Sequence, residues 1–120
     1  MQHTKMIKKK GTFKYLFNNG KSARGKNVSI YYIKQNKNIN YLGICVSKKN
    51  GNSVSRNKLK RWVREVYRKN EKIITNGYTI FIVIKKEITM ENTDYFMIKN
   101  DIETIMKNEG FYEKNIEITI

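Results

Sequence analysis

Arginine residues in this 120-residue chain are concentrated in one short stretch. The chain has 20 lysines and only five arginines, yet four of the arginines, Arg56, Arg61, Arg64 and Arg68, fall within thirteen residues. Arginine presents a planar fork of donors that matches phosphate groups and base edges, which a lysine does not. The cluster therefore predicts a nucleic-acid-binding surface. The alternative is a solvated basic face of a helix, which lysine would serve equally well.

The first third of the chain interleaves aromatic rings with positive charges. The rings are Phe13, Phe17, Tyr31 and Tyr32, and the charges are Lys14, Lys21, Arg24 and Lys26. Rings amid positive charge bind single-stranded nucleic acid by base stacking and attraction to the backbone. Core packing is the commoner fate of such rings, and we expect at least one of each pair to be core. Tyr31 shares a strand face with Ser29 and Ile33, opposite the more apolar face, so it is the candidate for stacking.

Groups for protein-based catalysis are sparse. His3 is the single histidine and Cys45 the single cysteine, and the sequence contains no CxxC, HExxH, GxGxxG or P-loop motif. A lone cysteine excludes a disulfide framework and fits a reducing cytoplasm, where Cys45 serves best as a small core residue. We therefore predict no catalytic residue, no metal site and no small-molecule substrate for this chain.

The distribution of charge points to a polyanionic partner. Residues 1–70 hold 19 Lys and Arg with a single acid, Glu65, for a net +18, whereas residues 71–120 carry −3. Self-repulsion at this density costs stability, and nucleic acid is the usual compensating partner. An anionic membrane surface is the main rival. No apolar run approaches the ~20 residues of a membrane span, and residues 1–10 have lysines without the apolar core of a secretory signal, so we expect a cytoplasmic protein without a membrane partner.

The arginines fall on the strongest predicted helix, residues 53–70. Leu59, Trp62, Val63 and Val66 share one stripe, which predicts the buried face. An adjacent stripe carries Arg56, Lys60, Arg64 and Tyr67. Ser53 or Ser55 is the predicted N-cap, and Glu65 is expected to brace the neighbouring arginines by helical ion pairs.

The other elements complete an interleaved pattern. We predict a short helix capped by Thr12 that runs to about Asn19, strands over 27–35 and 41–47 joined as a hairpin, and a strand over 78–84. A last helix is predicted to be capped by Asn92 or Thr93 and to run to about Asn108. The order αββαβα predicts an α/β (α+β) two-layer sandwich, one sheet with helices packed on it. Residues 1–120 form one RNA-binding domain, with residues 1–10 flexible and residues 111–120 an unassigned tail.

A specific motif spans residues 47–65. The run from Ser47-Lys48-Lys49 through Gly51-Asn52 and Val54 leads into Arg56-Asn57, Lys60-Arg61 and Arg64. It resembles the bacterial ribonuclease P protein family, which is marked by an SKK-x-GN-x-V segment followed by RNxxKRxxR on a helix. Phe13, Phe17, Gly20-Lys21-Ser22 and Tyr31 match the family's upstream pattern in order and approximate spacing. Lys58 departs from the family's usual second arginine, which retains charge and loses a bidentate fork.

The resemblance implies a fold and a function. The fold is an α/β sandwich with a left-handed βαβ crossover, which is rare. The function is that of a protein subunit of an endonuclease that removes the 5′ leader from precursor tRNA, binds the leader and lowers the magnesium requirement. The catalytic centre and its Mg²⁺ ions belong to the RNA subunit, and no cofactor is assigned to the protein. The alternative is a structural ribosomal protein or another ribonucleoprotein RNA-binding protein.

The resemblance also assigns residues to two partners. The residues expected to bind the catalytic RNA subunit are Arg56, Asn57, Lys58, Lys60, Arg61, Arg64 and Arg68. The residues expected to bind the precursor-tRNA leader are Phe13, Phe17, Tyr31, Ser47, Lys48 and Lys49.

Overall fold

The computed structural model describes residues 3–7 and 10–113, which form five strands and three helices. These are β1 (Thr4–Met6), α1 (Lys10–Asn19), β2 (Lys21–Arg24), β3 (Val28–Lys34), β4 (Asn40–Cys45), α2 (Ser53–Asn70), β5 (Tyr78–Ile84) and α3 (Tyr95–Asn108). Short 3₁₀ turns at Lys48–Asn50 and Glu71–Ile73 flank α2. None of the helices in this part of the chain is long and apolar enough to cross a membrane.

The strands form one mixed sheet in the order β1-β4-β5-β3-β2. β4 runs parallel to β1 and β5, and β3 runs antiparallel to β5 and β2. The predicted hairpin between residues 27–35 and 41–47 is wrong, because β5 lies between those two strands. Its continuous apolar sequence suits a central strand covered on both faces. β4, α2 and β5 make a βαβ unit whose left-handedness stays a prediction.

The main core lies between one sheet face and the helices α2 and α3. Alternate strand residues such as Val28, Ile30 and Ile82 point into it and are fully buried. Leu59, Val63 and Val66 of the predicted α2 stripe are buried, whereas Trp62 is only half-buried and packs against the edge of the core. The apolar residues of α2 and α3 that are buried here are Leu59, Val63, Val66, Tyr67, Ile98, Ile102, Ile105 and Met106.

The first helix covers part of the opposite sheet face. The Phe13 ring in α1 lies 5.0 Å from the Phe81 ring and 5.9 Å from the Tyr31 ring, centroid to centroid. The α+β class is confirmed, but the helices lie on both faces of the sheet and do not form a single layer. The sequences of β3 and β5 explain this arrangement. Tyr31 and Phe81 point away from the main core, and α1 covers these rings on the other face of the sheet.

Three residues within the stretch 1–10, which was predicted to be flexible, form a strand. Thr4–Met6 pairs with β4, and the Thr4 hydroxyl lies 2.8 Å from the Tyr67 hydroxyl. Tyr67 is fully buried, so it does not belong to the basic stripe of α2, and burial raises the pKa of its hydroxyl. β1 and β2 are three and four residues long and mostly polar, so neither shows the alternation that identifies a strand.

The C-terminal part of the core includes a residue from the unassigned tail. Phe111 is fully buried, and its ring stacks on Tyr78 at 4.4 Å. The predicted tail of residues 111–120 is therefore core at its first residue, whereas residues 114–120 lie outside the described residues.

In two helices, the residue that caps the N-terminus is not the predicted one. Asn52, and not Ser53 or Ser55, caps α2 by accepting a hydrogen bond from the Ser55 amide. Asp94 caps α3 by accepting from the Met97 amide, so α3 begins after Asn92 and Thr93. Both caps are residues of the types that favour this position, and the sequence offers several neighbours of equal propensity.

Candidate nucleic-acid interface

One exposed face of α2 carries all seven residues predicted to bind the catalytic RNA. We call this set the arginine surface: Arg56, Asn57, Lys58, Lys60, Arg61, Arg64 and Arg68. None of the seven is among the buried residues of the helix, because those fall on the opposite stripe. The residues of α2 that pack into the core are thus different from those that carry its positive charge. A polyanion could therefore bind the arginine surface without disturbing the core.

Arg56 is held at the first turn of α2. Its Nη2 donates to the Ser53 hydroxyl and its Nε to the Asn52 carbonyl, each at 3.4 Å. These bonds orient the guanidinium beside the loop that precedes the helix. Glu65 pairs with Lys69 at 3.4 Å, so the expected bracing of the arginines by Glu65 is replaced by a lysine contact. The arginines are therefore left available to a partner.

The loop before α2 is anchored by a buried asparagine that the sequence did not single out. Asn50 is fully buried, and its Nδ2 donates to the carbonyls of Lys85 and Ile88 at 2.8 and 2.7 Å. Its Oδ1 accepts from the Ser47 amide at 2.9 Å. The predicted residues Lys48 and Lys49 are exposed in this anchored turn, directly after β4. The pattern Asn-Gly predicted only a turn, because the partners lie 35 or more residues away.

We expect Asn50→Ala to lower the free energy of unfolding by about 1–3 kcal/mol, because two buried carbonyls lose their donor. Chemical denaturation measures this loss. Asn52→Ala is the matched control, since it removes an exposed asparagine cap and should cost about 1 kcal/mol. An Asn50→Ala protein as stable as the wild type would show that the loop is not held by this side chain.

The second surface is an aromatic cleft on the sheet face that carries α1. We define the cleft by Phe13, Phe17, Tyr31 and Phe81. The Phe17 ring lies 6.1 Å from Phe13 and 5.2 Å from Tyr31, so the structure brings the three predicted rings together. Phe17 is 57% exposed, and Phe13 and Tyr31 are half-buried. Their open sides offer a surface on which unpaired bases can stack.

Phe81 forms the floor of the cleft and is a residue that sequence analysis missed. It pairs with Tyr31 on β3 and Gly43 on β4, so all three share one face. A Cβ on Gly43 would lie 2.2 Å from the Phe81 ring, so only glycine leaves room for the ring there. The run from Tyr78 to Ile84 gives no sign of which residues face α1, because apolar residues occupy both faces.

The aromatic cleft continues toward the arginine surface along the same sheet face. Cys45 and Val83 follow Gly43 and Phe81 by two residues on their strands, so they lie on this face. With Ser47 and Lys60 they line a cavity of about 320 Å³. Burial raises the pKa of the Cys45 thiol, and the nearby Lys60 partly offsets this effect. Lys60 of the arginine surface and Ser47, which the resemblance assigns to the leader, thus line the same cavity.

No group of three or more His, Cys, Asp or Glu side chains that could hold a metal ion occurs within residues 3–7 and 10–113. The interface described above consists of hydrogen-bond donors, cations and aromatic rings, which are groups of the kinds that bind nucleic acid in proteins.

Comparison with known proteins agrees with this combination. The family model for ribonuclease P matches residues 1–109. The chain belongs to the ribonuclease P protein family. The ribonuclease P protein component of Clostridium kluyveri is 34% identical over 109 residues, covering 89% of this chain and 96% of the relative. That of Thermotoga maritima is 32% identical over 97 residues, covering 79% of this chain and 83% of the relative.

The fold agrees with solved ribonuclease P proteins. The Staphylococcus aureus protein superposes with a TM-score of 0.78 at 30% identity, covering 90% of this chain and 97% of the other. A Thermotoga maritima structure gives 0.75 at 30% identity, covering 87% and 96%. Membership in the ribonuclease P protein family implies an RNA partner in a holoenzyme, and it does not favour the alternative of a structural ribosomal protein.

Proposed function

We propose that this protein assists the catalytic RNA of ribonuclease P in removing the 5′ leader from precursor tRNA. The arginine surface binds the RNA subunit, and the aromatic cleft binds the single-stranded leader. The observation that carries the proposal is the meeting of three aromatic side chains, Phe13, Phe17 and Tyr31, on one face of a strongly basic domain. A module that only bound duplex RNA would need charge and no exposed stacking surface.

The electrostatic part of the mechanism follows from repulsion between two RNAs. Catalytic RNA and precursor tRNA must approach each other, and each phosphate carries a negative charge. A domain whose first 70 residues carry +18 lowers this repulsion when it lies between them. Magnesium ions otherwise supply the same screening, so the protein reduces the magnesium concentration that docking requires.

The geometric part of the mechanism assigns a position to the leader. Lys60 lines a cavity with Cys45, Val83 and Ser47, and the exposed residues Lys48 and Lys49 follow Ser47 directly. A leader strand stacked on Phe17 and Tyr31 can therefore place its backbone along these lysines. In this arrangement the leader is held beside the RNA subunit, and substrate is distinguished from mature tRNA by the strand that only the precursor has.

Catalysis is proposed to lie in the RNA subunit, together with the Mg²⁺ ions that it requires. The protein contributes binding, orientation and charge, and its cytoplasmic location stays a prediction. The direct test incubates precursor tRNA at low magnesium with the protein alone, the RNA subunit alone, or both. We expect cleavage at the 5′ end of the mature tRNA with both components. Cleavage by the protein alone would contradict the assignment of catalysis to RNA.

Salt dependence separates phosphate contacts from other modes of binding. We expect the logarithm of affinity for the RNA subunit to fall linearly with the logarithm of salt concentration, by about 0.7–0.9 for each phosphate neutralised. Filter binding or fluorescence anisotropy across a salt series measures the slope. An affinity that hardly changes with salt concentration would contradict the proposal that phosphate contacts hold the RNA subunit.

A further inference from the structure

A large aromatic side chain stands exposed at the start of α3, away from both surfaces described so far. Phe96 is 73% exposed, the highest value for any aromatic residue among residues 3–7 and 10–113. Burying a phenylalanine is normally favourable, and adjacent exposed apolar side chains, here Phe96 and the 41% exposed Met97, can form a binding patch. Phe96 follows the cap residue Asp94 by two positions, within a well-formed helix.

Phe96 is the outer member of a row of rings that reaches α2. Its ring lies 5.4 Å from Tyr95 in an edge-to-face arrangement. Tyr95 in turn lies 6.4 Å from Trp62, again nearly perpendicular. We call Trp62, Tyr95 and Phe96 the aromatic platform. Trp62 belongs to the same helix as the arginine surface, and Lys58 of that surface lies over its ring.

Cations lie over the rings of the platform. The Nζ of Lys58 is 5.5 Å from the Trp62 ring centroid, and the Nζ of Lys69 is 5.6 Å from that of Tyr95. Lys69 also donates to the Tyr95 hydroxyl at 3.4 Å, and this bond together with the Glu65 ion pair raises the pKa of the Lys69 ammonium. Lysine and aromatic rings together favour a ligand with both phosphate and a flat apolar surface.

Three acids on or beside α2 and α3 have partners. Glu65 pairs with Lys69, and Glu103 pairs with Lys99 at 3.3 Å. Asp94 accepts the capping hydrogen bond from Met97 at 2.8 Å. Lys58 belongs to the arginine surface and is the cation nearest the Trp62 end of the row. Lys58 is therefore the cation through which the platform and the arginine surface could share a phosphate of one RNA strand.

We propose that the aromatic platform stacks an unpaired base of the catalytic RNA, with Phe96 as the stacking residue. This inference rests on the proposed function, because it extends the arginine surface across α2 to the start of α3. Lys58 links the two, since it points at Trp62 while belonging to the basic face. The platform would bind an unpaired base, whereas the arginine surface binds phosphates.

A second copy of this chain is the competing occupant, and the exposed area argues against it. A stable protein interface buries roughly 800 Å² on each partner. One aromatic side chain supplies about 150–250 Å² at most, and the neighbouring Met97 is only 41% exposed. A base needs only the face of one ring. The exposed patch thus has the size of a nucleobase contact.

The test uses the assembled partners and three variants at the start of α3. Affinity for the RNA subunit is measured for Phe96→Ala, Phe96→Tyr and the control Met97→Ala. We expect Phe96→Ala to bind about 5- to 100-fold more weakly, Phe96→Tyr to bind like the wild type, and Met97→Ala to change little. Because the ring is uncharged, the slope of affinity against salt should be unchanged in Phe96→Ala.

The arginine variant separates failure of this inference from failure of the proposed function. If Arg61→Ala with Arg64→Ala weakens binding and Phe96→Ala does not, the platform is not a contact of the catalytic RNA and the proposed function stands. If neither change affects binding, the proposed function fails at its arginine surface. A changed ratio of precursor to mature tRNA affinity in Phe96→Ala would assign the ring to the substrate and overturn the inference. Sedimentation showing a wild-type dimer lost in Phe96→Ala would assign it to a second copy.

Discussion

Replacing both Arg61 and Arg64 by alanine is expected to weaken binding to the catalytic RNA by about 2–6 kcal/mol, or about 1–3 kcal/mol for each lost phosphate or base-edge contact. Both side chains are exposed and neither lies on the buried stripe of α2. The helix should therefore remain folded while its affinity falls. Binding assays at fixed salt, together with circular dichroism, measure the two effects separately.

The control for this variant removes the same number of charges elsewhere. Lys72→Ala with Lys107→Ala lowers the net charge equally, but Lys72 follows α2 and Lys107 lies in the last turn of α3. If long-range attraction alone were responsible, both double variants would lose affinity to the same extent. A much larger loss for the arginine pair locates the contact on the arginine surface, and equal losses would show that this surface has no special role.

Replacing Tyr31 by alanine is expected to lower the affinity of the assembled enzyme for precursor tRNA by about 1–3 kcal/mol, the usual contribution of one stacked base. Affinity for mature tRNA, which lacks the leader, should barely change. The quantity to compare is the ratio of precursor to mature affinity in wild type and variant. Tyr31→Phe retains the ring and should preserve that ratio.

Two controls test whether an effect of Tyr31→Ala comes from a lost contact with the leader. Tyr15→Ala removes a ring that is 55% exposed on α1 but lines a different cavity, with Ile33 and Tyr41, and it should leave the ratio unchanged. A thermal melt detects loss of packing between Tyr31 and Phe13. If Tyr31→Ala leaves the ratio at its wild-type value in a folded protein, the leader does not lie in the aromatic cleft.

Elements with a long repeating signal were predicted closely from the sequence. The helix over residues 53–70 and the strand over residues 78–84 have the predicted bounds, because each has an extended and unbroken pattern. β1 and β2 were missed because a few polar residues carry no period. Their place in the sheet depends on pairing with β4 and β3, which is a property of the assembled sheet and not of either segment.

The candidate site was predictable where residue type alone suggested a role. The arginines of α2 and the rings Phe13, Phe17 and Tyr31 were named from composition and spacing, and the structure brings those rings together. Phe81 and Asn50 were not named, because their importance comes from partners far away in sequence. Phe81 meets Gly43, and Asn50 meets the carbonyls of Lys85 and Ile88. Such pairings follow from topology, which residue patterns do not specify.

The insertion of β5 between β3 and β4 determines the order in which the chain can fold during its synthesis. Until residues 78–84 have been made, the sheet exists at most as two separate parts, β1 with β4 and β2 with β3. The register between Val28 and Ile84 joins residues that are far apart in sequence, and such contacts form slowly. Both parts meanwhile present unpaired strand edges, which are sites of aggregation. A nascent chain that pauses before Tyr78 therefore carries a complete basic helix on an unfinished sheet.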